Sequence, residues 1–504
     1  MKNLLLATLL LSAASRLSAT TYFVATNGSD INVGTSTNAP FFTLAPAIAQ
    51  AAPGDTIWIR GGTYFYTNVF PITNSGTPGL PIKVWNYPNE HPALCFSNMP
   101  YTGNIDTNIG FWLQTNASWW YFKGLEVCYA ADSGMKIQGC NNTVEFCVFH
   151  HNRDTGLQIG LGDGDDNDGS VAASNIVINC DSYLNYDPHS SGGNADGLDC
   201  KLSPGAGNMF IGCRSWHNSD DGFDFFKSNF RIVVSNCWTW HNGDPADFSG
   251  SAGNAEGFKL GGDTDFAAPH LVIRCISFNN HFGGSSAGRA FHQNDNQAGL
   301  TLYNCLSFSN NYNYALNNDF ADSSQHHVVV NCVGFAGITK NNDFNGSTLQ
   351  TNNSWNLTNI VADASDFVDL SEAAASAPRQ PDGSLPTGFA RLAAGSDLID
   401  KGVNVGLPFN GSAPDLGAFE YTNSTSSQGN ISFNTSPAAM GWTNGGFQLT
   451  VSGLTSHGPV VIFVSTDFSA WTPIVTNPAV TGSLVFLDSS TTNAAHRFYR
   501  AEEQ

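Results

Sequence analysis

From residue 19 onward, hydrophobic residues occur in short runs that Gly, Asn or Asp interrupts after a few positions, as in 175–179, 232–235 and 327–331. The runs are rich in β-branched and aromatic side chains, which is typical of short strands joined by tight turns. A helical period of hydrophobic residues is found only in 44–52. The pattern therefore predicts an all-β protein with one short helix near its beginning.

These runs belong to a repeat that is marked by cysteine. Seven cysteines recur at intervals of 24 to 38 residues: Cys147, Cys180, Cys213, Cys237, Cys275, Cys305 and Cys332. Six of them are followed five positions later by an asparagine: Asn152, Asn185, Asn218, Asn242, Asn280 and Asn310. Most are also followed three positions later by an aromatic residue. A period of about 20 to 50 residues is characteristic of proteins built from stacked units.

Short strands in a repeat of this length predict a parallel β-helix, whose coils lie about 4.8 Å apart. Equivalent residues of successive coils then form columns along the axis. We expect the cysteines to form an inward-facing column of small hydrophobic side chains. We expect the asparagines to form a ladder at a turn, with amides that hydrogen-bond along the axis. Both columns are predicted to have a structural role.

The chain divides into four segments. Lys2 precedes an apolar run at 4–14 and a small residue at 19, which predicts a secretory signal peptide over 1–19, with a first core helix as the alternative. Residues 20–421 are predicted to form the β-helix domain. A polar linker is predicted over 422–430. Alternating hydrophobic residues at 447–451 and 460–464 predict a small antiparallel β module over 431–504.

Composition limits the partners of the protein. The 504 residues include 41 acidic and 20 basic residues, which gives a formal net charge of −21. An acidic surface repels a polyphosphate backbone, so we exclude nucleic acid as a partner. No later run has about 18 consecutive apolar residues, so we expect no membrane partner. We expect a monomer, and the signal peptide predicts that it is secreted. An acidic polysaccharide would also be repelled unless a bound cation screened its charge.

Candidate chemistry follows the asparagine of each repeat. Four successive repeats contain Gly followed by an apolar residue: Thr155-Gly156-Leu157-Gln158, Asp196-Gly197-Leu198-Asp199, Asp221-Gly222-Phe223-Asp224 and Glu256-Gly257-Phe258-Lys259. Alignment on the glycines produces two columns: Asp196, Asp221 and Glu256 in the first, and Asp199, Asp224 and Lys259 in the second. Asp220 directly precedes the first column.

Carboxylates about one coil apart would repel each other strongly in the absence of a cation. A set of oxygen ligands favours Ca²⁺ over zinc or copper, so the columns predict a calcium site. Lys259 allows two interpretations. It is either a salt-bridge partner of the carboxylates or a general base that a nearby cation helps to deprotonate. Residue spacing alone does not separate the two.

Three stretches together resemble polysaccharide lyase family 9. They are 194–197, 214–224 and 257–260, which read Asn-Ala-Asp-Gly, Arg-Ser-Trp-His-Asn-Ser-Asp-Asp-Gly-Phe-Asp and Gly-Phe-Lys-Leu. The resemblance extends over 22–421 and implies a secreted pectate lyase with a right-handed parallel β-helix. It further implies that Lys259 is the Brønsted base and that four aspartates bind Ca²⁺: Asp196, Asp220, Asp221 and Asp224. It assigns no role to Asp199 or Glu256.

We therefore expect a calcium-dependent lyase that cleaves pectate, or a related uronate polymer, by β-elimination with Lys259 as the base. Arg289 aligns one position from the column of Lys259, one coil further on, and is predicted to bind a substrate carboxylate. Two alternatives remain open. A β-helix glycoside hydrolase of pectin would use a pair of carboxylates and water, without calcium. A non-catalytic polysaccharide-binding β-helix protein would keep calcium for stability alone.

Two further clusters contain metal-binding residue types. The acidic stretch 163–169 is either a second calcium loop or a solvated insertion, and it lacks the Gly at the sixth position and the closing Glu of an EF-hand. His217 and His241 each lie four residues after a repeat cysteine, so we expect them to form a stacked polar pair. No thiolate or third histidine lies at metal-binding spacing beside them, so the sequence does not predict zinc.

Overall fold

The computed structural model describes residues 19–101, 107–162, 167–244, 247–248, 252–281, 287–422, 431–434, 439–443, 445–456, 458–466, 471–490 and 497–503. Within them, three long parallel sheets run along a β-helix. Each full coil contains three strands in succession, one in each of the three sheets. The predicted parallel β-helix is confirmed.

Strands are numbered β1 to β39 along the described chain. The first sheet contains β1 (Thr21–Val24), β2 (Thr56–Ile59), β5 (Ile82–Asn86), β8 (Trp120–Lys123), β11 (Thr143–Glu145), β14 (Ile176–Ile178), β17 (Met209–Ile211), β20 (Val233–Ser235), β23 (Leu271–Ile273), β26 (Thr301–Tyr303), β29 (Val328–Val330) and β32 (Leu349–Thr351). The second sheet contains β3 (Gly62–Phe65), β6 (Pro92–Cys95), β9 (Glu126–Cys128), β12 (Val148–His150), β15 (Asp181–Tyr183), β18 (Arg214–Trp216), β21 (Trp238–Trp240), β24 (Ile276–Phe278), β27 (Leu306–Phe308) and β30 (Val333–Phe335). The third sheet contains β4 (Phe70–Ile72), β7 (Phe111–Leu113), β10 (Met135–Ile137), β13 (Leu157–Ile159), β16 (Leu198–Cys200), β19 (Phe223–Asp224), β22 (Phe258–Lys259), β25 (Arg289–His292), β28 (Tyr312–Leu316) and β31 (Lys340–Phe344).

The predicted helix covers the first coils. It spans Ala45–Gln50 (α1) and buries Ala47 and Ile48 against the end of the hydrophobic core. The side-chain amide of Asn74 donates to the carbonyl oxygens of Ile48 and Ala51 at 3.2 and 2.8 Å. These bonds satisfy carbonyl groups that the end of a helix leaves without an intrahelical partner. The helix therefore closes an end of the solenoid that would otherwise expose apolar strands.

The asparagine column forms the predicted ladder. From Asn152 to Asn310, each side-chain amide donates to the side-chain oxygen of the next asparagine at 2.8 to 3.1 Å. The same oxygen accepts the backbone N–H of the preceding asparagine. A second asparagine ladder, which was not predicted, links Asn142, Asn175 and Asn208. These residues directly precede three strands of the first sheet: β11, β14 and β17. The seven repeat cysteines are buried and form no disulfides, as predicted for an inward column.

The outer face of the second sheet is covered by the end of the β-helix domain. Aromatic rings of successive coils stack there with centroids 4.7 to 5.5 Å apart: Tyr183, Trp216, Trp240, Phe278, Phe308 and Phe335. Phe367 and Phe389 pack against this stack. The covering segment also contains a short 3₁₀ helix, Ala364–Asp366, and α2, Glu372–Ala375. A large apolar face is thereby removed from water.

The predicted antiparallel module at the C-terminus is confirmed. One of its sheets contains β33 (Ser432–Phe433), β34 (Gly441–Thr443), β35 (Gly446–Thr455) and β38 (Thr481–Asp488), and the other contains β36 (Val460–Ser465), β37 (Thr472–Asn477) and β39 (Phe498–Glu503). The limits of the four segments stay predictions. The signal peptide, up to residue 18, and the linker from 423 to 430 lie outside the described residues, as do 163–166 of the acidic stretch. Among the described helices, none has the length and apolar character needed to cross a membrane.

Candidate active site

The third sheet brings the residues of the second column into register. Asp199 of β16 pairs with Asp224 of β19, and Asp224 pairs with Lys259 of β22. Asp221 and Glu256 each lie two residues before their strands, as Asp196 does before β16. Alignment on the glycines therefore placed both columns correctly.

The glycines between these residues are required by close packing between sheets. A Cβ atom at Gly222 would lie 2.0 Å from Thr239 Oγ1, and one at Gly257 would lie 2.1 Å from Ser277 Oγ. The hydroxyl of Ser215 donates to the carbonyl oxygen of Gly222 at 2.7 Å. A larger residue would push the strands that carry the site away from the second sheet.

Three of the predicted calcium ligands form a compact, buried group. Asp196, Asp221 and Asp224 each have an oxygen within 4.8 Å of the others, and their exposed fractions are 0%, 0% and 2%. Asp196 Oδ1 accepts the backbone N–H of Asp221 at 2.8 Å, and Asp221 Oδ1 accepts that of Glu256 at 2.8 Å. These bonds fix the spacing of the carboxylates and leave the second oxygens of Asp196 and Asp221 for other partners.

The fourth predicted ligand has a different environment. Asp220 is buried, and its two oxygens accept the backbone N–H groups of Asn194 and Asn254. It is absent from the group of three carboxylates described above. Asp220 therefore ties two neighbouring turns together at the edge of the cluster.

Two lysines lie among the carboxylates. Lys259 Nζ is 3.1 Å from Asp221 Oδ2 and 3.4 Å from Asp224 Oδ2. Lys201 Nζ contacts Asp196 Oδ2 and lies 3.0 Å from Asp199 Oδ2 and 3.3 Å from Asp224 Oδ2. Asp224 is thus shared by both ammonium groups. Both lysine side chains are buried to about nine-tenths or more, so water contributes little to their solvation.

Burial and mutual repulsion shift the protonation of this group. Burial raises the pKa of Asp196 to about 7, with Lys201 acting against the shift. Burial and the charge of Asp220 hold the pKa of Asp221 well above its usual range. Burial alone would lower the pKa of Lys259, but the carboxylates of Asp224 and Asp221 hold it well above its ordinary value. The site thus carries more negative charge than its own lysines compensate.

The residues present fit a hard divalent cation. Asp199 Oδ1 and Glu256 Oε2 are buried oxygens that accept no hydrogen bond from the described residues. An unpartnered buried carboxylate oxygen is costly. The five aspartates of the site, when ionised, outweigh its two lysines by three charges: Asp196, Asp199, Asp220, Asp221 and Asp224. Anionic oxygen ligands in this number suit Ca²⁺ better than a transition metal.

The predicted position of Arg289 is wrong. The register pairs Phe258 with Phe291 and Lys259 with His292, so Arg289 lies three positions before the Lys259 column. Ala290 lies level with Gly257 of the preceding coil and so takes the position that glycine has in the earlier repeats. Gly288 instead has a φ of +77°, which belongs to the turn before β25. The predicted position of Arg289 therefore differs from the observed one by two residues.

The actual contacts of Arg289 involve the first column. Its Nη1 lies 3.3 Å from Glu256 Oε1, and the guanidinium lies 5.6 Å from the centroid of the Tyr312 ring. The side chain is 26% exposed. His292 takes the column position next to Lys259, and its Nδ1 lies 2.7 Å from the same Glu256 oxygen.

The sequence prediction missed Lys201 and His292. A signal for Lys201 exists, since it lies two residues after Asp199 and therefore on the same face of an extended chain. His292 has no comparable signal, because the glycine that anchors the earlier repeats is replaced by Ala290. A polar cavity of about 300 Å³ opens beside Asn194, between Arg153 and His189. It extends the site along the β-helix surface.

Comparisons with known proteins agree on one family. Residues 22–322 match the model of the Pel9A-like, right-handed beta helix region. The chain is 40% identical over 408 residues to pectate lyase L of Dickeya chrysanthemi, covering 79% of this chain and 90% of that protein. It is 36% identical over 411 residues to pectate lyase L of Paenibacillus polymyxa, covering 78% and 86%.

A solved structure supports the same assignment. The crystal structure of pectate lyase Pel9A superposes with a TM-score of 0.71 at 38% identity, covering 80% of this chain and 97% of that chain. A rhamnogalacturonan lyase shares the fold with a TM-score of 0.61 at 24% identity. The chain belongs to the Pel9A-like right-handed β-helix family and is an enzyme of the polysaccharide lyase class.

Proposed function

We propose that this protein is a calcium-dependent pectate lyase that cleaves de-esterified homogalacturonan, or a related uronate polymer, by β-elimination. The observation that carries the proposal is the position of Lys259, a buried amine 3.1 and 3.4 Å from two of three clustered aspartates. A base and a cation site in direct contact meet the needs of proton abstraction beside a uronate carboxylate. The relatives named pectate lyase L support the choice of substrate.

In this mechanism Asp196, Asp221 and Asp224 would hold calcium, with Asp220 at the edge of the site. Bound calcium would pair with the uronate carboxylate and acidify the neighbouring C5 proton. Neutral Lys259 removes this proton as the C5–H bond breaks. The electron pair forms the C4–C5 double bond, and the glycosidic oxygen leaves from C4 and takes up a proton from solvent water. The products are a new reducing end and an unsaturated sugar end.

The other charged residues support this arrangement. Lys201 offsets the charge of Asp196 and Asp199, so the cluster remains folded before a cation binds. Arg289 is held by Glu256, and its partly exposed guanidinium can bind a second uronate carboxylate. Together with calcium, these cations reduce the repulsion between an anionic polymer and a chain of net charge −21.

The test is turnover of polygalacturonate, followed by the ultraviolet absorbance of unsaturated ends. We expect absorbance to rise with calcium, to stop in chelator and to recover when calcium is restored. Asp221→Ala should weaken calcium binding and abolish turnover, with an unchanged β-sheet circular dichroism spectrum. The matched control is Asp322→Asn, at an exposed aspartate far from the site in sequence. Full activity of Asp221→Ala in chelator would rule out the calcium assignment.

The same assay separates the two alternatives. A glycoside hydrolase would release saturated ends and remain active in chelator. A non-catalytic binding protein would retain polygalacturonate and release no product. We also infer that the chain is exported through residues 1–19 and acts as a monomer. N-terminal sequencing of the protein from culture medium should find a mature chain that begins near Thr20, and its mass in solution should equal that of one chain.

A further inference from the structure

A second charged cluster lies where the chain leaves the second sheet. His217 and His241 follow β18 and β21 directly, and their rings lie next to each other as predicted, with centroids 4.3 Å apart, but the ring planes are tilted by 55° and so are not stacked. The tertiary structure adds carboxylates from two other places. Asp244 and Asp247 come from the turn after β21, and Glu372 begins α2, 155 residues after His217. The two imidazoles and three carboxylates therefore meet only in the folded chain.

The carboxylates approach both nitrogens of each ring. His217 Nε2 lies 2.7 Å from Glu372 Oε1, and its Nδ1 contacts Asp247 Oδ2. His241 Nε2 lies 2.7 Å from Asp244 Oδ2, and its Nδ1 lies 3.7 Å from Glu372 Oε2. Glu372 therefore spans the two rings with one oxygen toward each. On the far side of each ring, a separate aspartate holds the other nitrogen.

This arrangement matches a common pattern at metal sites. A histidine that binds a metal with one nitrogen usually donates its other ring N–H to a carboxylate, which fixes the tautomer and the orientation of the ring. Asp247 and Asp244 take that position behind His217 and His241. The indole N–H of Trp240 donates to Glu372 Oε1 at 3.0 Å and orients the carboxylate between the rings.

The charge of the cluster also favours a divalent cation. Three carboxylates face two imidazoles, so neutral rings leave three negative charges close together. The field of these carboxylates attracts positive charge, and two imidazolium rings with centroids 4.3 Å apart would repel each other.

We propose that His217, His241 and Glu372 form a second metal site, specific for a divalent transition ion such as Zn²⁺, with Asp244 and Asp247 as supporting partners of the histidines. Imidazole nitrogens suit zinc, cobalt and nickel, whereas calcium prefers oxygen ligands. Two histidines and one carboxylate leave a coordination position for water in a tetrahedral site. The side chains are 20%, 23% and 36% exposed, so the ion can enter from solvent.

Such a site would have a structural consequence. Glu372 begins the short helix α2, and Ala375 of that helix belongs to the apolar cluster that covers the second sheet. A metal held by Glu372 and two turns of the β-helix would fasten the covering segment to the coils. Binding to the folded state alone should therefore raise the melting temperature in proportion to the logarithm of metal concentration.

The test is a titration of the full chain with Co²⁺ and Zn²⁺ in excess Ca²⁺, so that the oxygen site is filled. We expect one ion per chain by calorimetry, a visible cobalt spectrum of a nitrogen and oxygen site without a thiolate charge-transfer band, and release of protons on binding. Zn²⁺ should raise the melting temperature. Lyase turnover in calcium should not depend on the added ion.

Variants distinguish this site from surface binding. His241→Gln and Glu372→Gln should each abolish the cobalt spectrum, and Asp247→Asn should weaken binding by about 10- to 100-fold. The matched control, His326→Gln at an exposed histidine, should bind like the parent. Since Glu372 is partly exposed, its variant keeps the test valid if His241→Gln misfolds. Absence of binding by the parent, or equal binding by parent and Glu372→Gln, would overturn the proposal and leave a cluster of ion pairs.

Discussion

The asparagine ladder and the outward column of the third sheet are built by the same stacking of coils, yet their compositions differ. The ladder repeats one residue from Asn152 to Asn310. The outward column contains four residue types in five coils and reads Gln158, Asp199, Asp224, Lys259 and His292. A side-chain amide has both a donor and an acceptor, so asparagines in a column can form hydrogen bonds with each other without other partners. Ionised carboxylates only accept, so a column that contains them needs cations.

The comparison shows that the asparagine ladder serves stability, whereas the outward column of the third sheet serves function. A uniform interior column repeats the same favourable contact at each coil, so a change in it removes hydrogen bonds from buried groups. The outward column is free to vary, because its side chains leave the core. Its charged residues are poorly compensated by the protein itself, which is the property that a cation site requires. Changes in the two columns should therefore affect different measurements.

The largest effect is expected from the outward column at Lys259. Lys259→Ala should reduce turnover of polygalacturonate by about 10²- to 10⁴-fold while calcium binding is retained, because the loss of a general base costs that much. Lys259→Arg should be nearly as inactive, since guanidinium stays protonated at any usable pH. Activity of the parent should rise into the alkaline range as Lys259 loses its proton. An arginine variant that keeps much of the rate would show that the residue is only a salt-bridge partner.

A change in the ladder should affect stability instead. Asn242 Oδ1 accepts from the backbone and side chain of Asn218, so Asn242→Ala leaves buried donors without partners. We expect the free energy of unfolding in urea to fall by about 1–3 kcal/mol for each unsatisfied group. The folded fraction should keep the parent's turnover. Asn68→Ala, at an exposed asparagine, is the control. Equal stability of the two variants would contradict the structural role of the ladder.

A third change tests whether the outward column is destabilising without a cation. Burial and Asp196 hold the pKa of Asp199 well above its ordinary value, so its ionised form opposes folding at neutral pH. Asp199→Asn should therefore raise the melting temperature in chelator. Thr155 can still donate to the amide oxygen, as it donates to Asp199 now at 2.6 Å. Asp322→Asn should show no such rise, because hydrogen bonds from Ser324 hold the pKa of that exposed carboxylate below its ordinary value.

The smallest effect is expected from the histidine cluster in metal-free protein. The pKa values of His217 and His241 are raised, so their ion pairs contribute below about pH 6.5 and are lost as pH rises through the folded values. The pKa of Glu372 is lowered, so its contribution is present above about pH 4.3 and lost as pH falls. Asp244 and Asp247 also face the rings, and His281 lies nearby with a pKa that burial lowers.

The measurement is urea unfolding in chelator as a function of pH. Stability relative to Glu372→Gln should be greatest between these limits, by less than about 1 kcal/mol for partly exposed pairs. A difference between parent and variant that does not change from pH 4 to 8 would show that these ion pairs contribute nothing to folding.

Much of the fold was predictable because each coil repeats a similar spacing of strand and turn residues. The cysteine and asparagine spacings identified columns, and the glycine motif placed Asp199, Asp224 and Lys259 in the column that the strand register confirms. Prediction failed where the repeat is irregular. At the turn before β25 the predicted position of Arg289 was off by two residues, since Ala290 takes the place of the glycine found in the earlier repeats. Lys201 was missed because it lies outside the four residues around each glycine that define the motif.

The sequence by itself determined the stacked architecture, the two columns and the excess of acidic residues near one lysine. Those features depend on local periodicity, because a strand's neighbours in a solenoid are the adjacent repeats. The tertiary structure decided which partners the columns receive. Lys201 reaches three carboxylates at once, and Glu372 joins His217 from 155 residues away. No short-range sequence pattern predicts the contact between Glu372 and His217. It depends on α2, which is positioned by the packing of the covering segment on the second sheet.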